Sequence, residues 1–212
     1  MKIAIIGASG KAGRLIMEEA VSRGHKVTAI VRDAAKVQNP QVEVLEKDIF
    51  DLKADDLRAF EAVVNAFGAA PGQETLHVKA GRILIEALSG LSTRLVVVGG
   101  AGSLYVDEEQ ATRVMDTPDF PKEYYATAFN QGKNLQDLQQ STSVEWTFIS
   151  PAAFFDPQGK RTGTYQKGKD RLITNKKGQS YISYADYAIA VVDELEHPEH
   201  RNTRFTVVGE AE

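Results

Sequence analysis

The sequence predicts an open, doubly wound α/β sheet of mostly parallel strands. Three features carry that prediction. Short, continuously apolar runs recur along the chain, the mark of strands buried on both faces. Amphipathic segments of helical period separate them. A glycine-rich turn, "GASGKAG", joins the first such run to the first such segment. Alternation of this kind gives βαβ units with right-handed crossovers and helices on both faces of the sheet.

Taken in order, "KIAIIG" is the first strand. A helix follows from Lys11 to Arg23, with Ala12, Ile16 and Ala20 on one stripe and Gly24 as its stop. "KVTAIVR" and "VEVLEKD" are the next strands, followed by a short helix around Leu57 and Phe60 and by "AVVNAFG". Leu76, Ala80, Ile83, Leu84, Ala87 and Leu88 give a long helix a full apolar face. "RLVVVGG" is the fifth strand, and a helix carrying "YYATAFNQGK" leads to "VEWTFIS" as the sixth. From Pro151 to about residue 183 the chain turns polar and glycine-rich. "GTYQKG", "DRLIT" and "SYIS" read there as pieces of a hairpin-like insertion, a small lobe on the substrate side. A helix from Tyr184 to about Leu195 and a last strand, "TRFTVVG", complete one expected domain over residues 1–212.

Composition excludes several classes. With 212 residues, 42% hydrophobic and 25% charged, this is an ordinary globular chain. There is no cysteine, so thiolate catalysis and Cys-ligated metals are out, and a reducing, cytoplasmic location is expected. A net charge of -4 offers no general attraction for nucleic acid. No apolar run reaches membrane-spanning length. Between Lys160 and Lys177 there are seven basic residues and one acidic, but with Tyr165 as the one aromatic among them this reads as a solvated face, part of which could meet an anionic substrate. His197 and His200 in "HPEHR" lack a third ligand, so no metal site is expected.

The glycines carry the first functional signal. Gly7, Gly10 and Gly13 lie between a strand and a helix, where they permit a tight turn and close approach of main-chain amides to a pyrophosphate. Ala8, Ser9, Lys11 and Ala12 complete the turn. No Gly-Lys-Ser/Thr follows, which rules out a P-loop, and the reading is dinucleotide binding in a Rossmann-like site. At the end of the second strand Arg32 stands where an acidic ribose ligand would mark an NAD site. A guanidinium there suits the 2′-phosphate of NADPH, with Arg14 and Lys36 adding charge; alternatively Asp33 takes the ribose and the cofactor is NADH.

GxxGxxG, Arg32, "KDIFD" and "NAFG", together with "WTFISPAAFFDP", "RTGTY" and "ISYADYA", resemble the atypical short-chain dehydrogenase/reductases. Within them the chain is most similar to the NAD(P)H-binding, NmrA-like group that includes NADH-flavin reductases and biliverdin reductase B. That resemblance implies that Asp48 and Ile49 flank the adenine, that Ala66, Phe67 and Gly68 line the cofactor, and that Pro151, Ala152, Ala153 and Phe154 lie beside the nicotinamide. It also implies a Tyr-x-x-x-Lys helix. Here Phe129 stands in the tyrosine's place and Lys133 remains as a ribose clamp; the plainer reading of Lys133 is an exposed helical lysine.

Without a proton-donating tyrosine, the expected reaction is hydride transfer from NADPH to a flavin, quinone or similar small aromatic acceptor, where orientation carries most of the catalysis. Phe154, Phe155 and Tyr105 are candidates for a flat acceptor pocket or for core packing, and Ser103 for a hydroxyl that orients the acceptor or for a turn serine. A second expectation is a regulatory protein that senses NADP(H) and contacts a protein partner. Monomer and homodimer both fit the sequence.

Overall fold

The computed structural model describes residues 1–211. Its main sheet has eight strands: β1 (Lys2–Ile6), β2 (Lys26–Val31), β3 (Glu43–Glu46), β4 (Ala62–Asn65), β5 (Arg94–Val98), β6 (Trp146–Ser150), β8 (Gln166–Gly168) and β10 (Thr203–Val208). Their order is β3-β2-β1-β4-β5-β6-β10-β8. Every neighbouring pair is parallel except β10 and β8. The strand order reverses between β1 and β4, which opens a crevice beyond the carboxyl ends of the strands.

Among the described residues five α-helices cover the sheet: α1 (Lys11–Ser22), the single turn α2 (Ala54–Leu57), α3 (Leu76–Leu88), α4 (Lys122–Gln140) and α5 (Tyr184–Glu196). The period of two along β1 divides the core. Ile3 and Ile5 join Ile16 and Ala20 of α1 and Tyr187 and Val191 of α5 on one face. Ala4 and Ile6 join Ala80 and Leu84 of α3 and Leu135 and Leu138 of α4 on the other. Helices α3 and α4 approach closely because Gly81 has no side chain: a Cβ there would collide with the carboxamide of Asn134.

The segment after Pro151 is not a hairpin. β7 (Phe154–Asp156) and β9 (Tyr181–Ser183) form a separate two-stranded parallel sheet. β8, inside "GTYQKG", instead covers the open edge of β10, whose Val207 and Val208 are fully buried. "DRLIT" is irregular, with one bridge from Arg171 to Tyr105. Beneath this segment the carboxylate of Asp186, wholly buried on α5, accepts from the amides of Thr162 and Gly163 at 2.9 Å and from Thr162 Oγ1 at 2.7 Å. The expected short helix around Leu57 stops before Phe60. Among the described residues no helix is long and apolar enough to cross a membrane.

Candidate functional site

A cleft of about 630 Å³ lies at the strand carboxyl ends, beside the switch between β1 and β4. Its floor is the glycine turn. Gly7 has φ +74, and a Cβ there would lie 2.6 Å from the Ala66 carbonyl oxygen. A Cβ on Gly13 would collide with the Gly7 carbonyl, so α1 can meet β1 this closely only through glycine. Gly10 caps α1 from an extended conformation with no side-chain hydrogen bond, and no acidic residue occupies the first turn. Arg14 N donates to Gly10 O at 2.9 Å, so the amides of Lys11, Ala12 and Gly13 precede the first helical bond and have no acceptor within the helix. Ser9, Gly10, Lys11 and Ala12 line the cleft, while Ala8 and Gly13 are buried beneath it. These uncapped amides at a positive dipole end suit a pyrophosphate, so the cradle fits the expected dinucleotide.

Arg32 stands at the mouth, exposed and with no ion pair among the described residues. Asp33 is outside the lining. Its carboxylate accepts from Ala35 N at 3.1 Å and faces Lys36 Nζ at 3.9 Å. Arg14 is likewise occupied, by Glu18 at 3.0 Å. Asp48 and Ile49 line the same end. The Asp48 carboxylate accepts from Phe50 N at 3.0 Å, and Lys47 is tied to Asp56 at 2.7 Å. Ala66, Phe67 and Gly68 line the middle, held by a bond from Phe67 N to Asn65 Oδ1 at 3.1 Å.

His77, on the first turn of α3, was not anticipated from sequence. Its ring meets the Phe67 ring edge-on at 5.7 Å and lines the cleft, and burial pushes its pKa below the ordinary histidine range. A histidine within an apolar helical stripe gives no sequence signal of its own.

At the far end Pro151, Ala152 and Ala153 line the cleft. Phe154 does not. It is 61% exposed and packs on Tyr181 at 5.6 Å, because successive strand side chains point to opposite faces. Phe155 takes the inner place, with Tyr184 at 3.9 Å and Tyr187 at 4.8 Å. Tyr184, the first residue of α5, lines the cleft too, and burial raises its pKa. Tyr105 lies elsewhere, bonded through its main chain to Asp170 and Leu172.

Two expected catalytic residues are likewise displaced. Ser103 Oγ accepts from Arg204 Nη1 at 3.0 Å in a separate depression of about 200 Å³ that also holds Tyr105 and Asp170. Lys133 is exposed on the α3 side of α4, its Nζ 5.2 Å from the Phe129 ring. The residues that α4 turns to the cleft are Tyr124, Thr127 and Gln131. At about 100° per residue, Phe129 and Lys133 lie roughly 200° around the helix from Thr127 and Gln131. The pair of α4 residues that lie four apart on the cleft is therefore Thr127 and Gln131, not Phe129 and Lys133.

A model of the NAD(P)H-binding family matches residues 7–198. The uncharacterized protein YwnB of Bacillus subtilis (strain 168) is 71% identical over 213 residues, the match covering 100% of both chains. A solved structure from Streptococcus pneumoniae TIGR4, described as a candidate NADH-flavin reductase, is 48% identical with a TM-score of 0.95, over 99% of this chain and 100% of that one. A Bacteroides thetaiotaomicron structure described as a candidate epimerase is 35% identical with a TM-score of 0.88, over 100% of this chain and 98% of that one.

Proposed function

The chain belongs to the NAD(P)H-binding family, in its atypical short-chain dehydrogenase/reductase-like branch, and from that premise we propose that it is a reductase using NADPH to reduce a flavin, quinone or similar aromatic acceptor. One observation carries this reading. A single cleft joins an uncapped-amide cradle and an arginine without an ion pair to an aromatic chamber that no lysine lines among the described residues.

Each end has its work. The amides of Lys11 and Ala12 hold the pyrophosphate, as the dipole of α1 favours negative charge. Arg32 receives the 2′-phosphate by charge-assisted hydrogen bonds, because Asp33 spends its carboxylate on its own turn. Phe67 closes the middle, and Pro151 to Ala153 set the far wall.

Bound there, the nicotinamide supplies a hydride. Phe155 and Tyr184 hold the acceptor ring flat and exclude water, while Thr127 and Gln131 offer neutral hydrogen bonds to it. No residue needs to deliver the matching proton. The reduced acceptor is stabilised by its own conjugation and takes that proton from solvent.

The name given to the Streptococcus pneumoniae structure supports a flavin acceptor. Epimerase chemistry is disfavoured, since Tyr124, the tyrosine of α4 on the cleft, has Ala128 four residues on. The test is parallel oxidation of NADPH and NADH with FMN, menadione and biliverdin. NADPH is expected to be consumed faster with at least one acceptor. Tight nucleotide binding with no oxidation by any of the three would contradict the reading.

A further inference from the structure

The cleft is electrically one-sided. Its charged groups, Lys11, Arg32, Lys47 and Asp48, all belong to the glycine turn and the loops after β2 and β3. The end formed by β5, β6, α4 and the β7–β9 pair offers only neutral side chains among the described residues, chiefly Tyr124, Thr127, Gln131, Phe155 and Tyr184.

That end is nevertheless built. The Gln131 carboxamide reaches towards Gly100, where an added Cβ would meet its Oε1, a contact that this flexible side chain relieves by shifting. Neither Gln131, Thr127 nor the Tyr184 hydroxyl has a protein hydrogen-bond partner among the described residues. All three line the cavity beside the Phe155 ring.

We propose that this end recognises the uncharged ring of the acceptor, by contact with Phe155 and Tyr184 and by hydrogen bonds from Gln131 and Thr127 to ring carbonyls, and forms no ion pair with an anionic tail. The inference rests on the reading of the opposite end as the nucleotide's. A quinone or the isoalloxazine of a flavin meets these terms, since each is planar and carries carbonyl oxygens. A phosphate on the acceptor gains nothing, because among the described residues no cation lines this end to meet it. Riboflavin and FMN, which share one ring and differ by a phosphate, are therefore equivalent ligands. A linear tetrapyrrole with two carboxylates is a poorer one.

The experiment titrates riboflavin and FMN into the NADP⁺-loaded protein, reading flavin fluorescence. The two dissociation constants are expected within about threefold of each other, unchanged between about 50 and about 300 mM NaCl, since nothing there is screened. Gln131→Glu, which sets a carboxylate against the ring carbonyls, should weaken both by about fivefold or more. FMN binding about tenfold tighter than riboflavin with a salt-dependent advantage would overturn the inference. So would the failure of both flavins to bind, or a Gln131→Glu protein that binds as the wild type does. Equal binding of both rings by a protein that never oxidises NADPH would uphold this inference and sink the reductase reading instead.

Discussion

Arg32 and Asp33 are neighbours in the chain with opposite roles. The guanidinium faces the cleft without a partner, while the carboxylate closes the turn onto Ala35 N. Sequence placed both at the ribose and left them competing; only the turn geometry separates them. Arg32→Ala should raise the KM for NADPH by about tenfold and leave that for NADH within about twofold, because only the 2′-phosphate loses its partner. Equal losses with both nucleotides in steady-state assays would remove Arg32 from that role. Phe154 and Phe155 teach a related lesson. The aromatic pair was legible, but which ring turns inward depends on strand register, and one position reverses it.

The same ambiguity, at the scale of an element, governs α4. Helical period tells which residues share a face, and Phe129 and Lys133 do share one. It does not tell which face the packing of α4 on α3 turns toward the cleft, and the answer is the face of Thr127 and Gln131. Lys133→Ala and Ser103→Ala are accordingly expected to leave kcat/KM for acceptor reduction within about twofold; a loss of about tenfold or more in either would restore that residue to the site.

Helix α5 holds its neighbourhood differently. Ser183 Oγ caps it by accepting from Asp186 N at 3.0 Å, and the buried Asp186 carboxylate ties down the loop at Thr162 and Gly163. Asp186→Ala leaves those amides without acceptors, and a loss of about 2–4 kcal/mol in urea unfolding is expected. A change within about 0.5 kcal/mol would mean that the loop finds solvent instead.

For the whole molecule, the alternation of strands and helices made the doubly wound sheet readable, since seven parallel strands demand continuous apolar runs. The polar segment after Pro151 was not readable in the same way. Its short strands have no pattern of their own and take their places from the edge of β10 and from β7. The main sheet runs unbroken through both halves of the chain, so we propose a single domain that unfolds in one transition, with fluorescence and far-UV dichroism coinciding in urea.

Its acid limit follows from the carboxylates. The Lys47 ammonium holds Asp56 below the usual range, the Arg113 guanidinium does the same for Asp116, and main-chain amides at Ala111 and Thr112 hold Asp107 down. A depressed folded pKa contributes stability that is complete above the unfolded value of about 3.9 and lost as pH falls from there through the folded pKa. The midpoint temperature should therefore fall slightly as pH drops below about 6.5, where the unfolded chain protonates His77 and the buried ring does not, and fall further below about 4 as these carboxylates protonate; a maximum at pH 3 would contradict these assignments.

The central claim is that the cradle at Gly7–Gly13 takes the pyrophosphate of a nicotinamide nucleotide. Calorimetric titration of the purified protein with NADPH tests it most directly, with Gly13→Ala as the control, since a Cβ there would collide with the Gly7 carbonyl. One site per chain is expected, and a Gly13→Ala protein that stays folded and loses affinity by at least about tenfold. No detectable association with NADPH or NADH, or undiminished binding by Gly13→Ala, would contradict it.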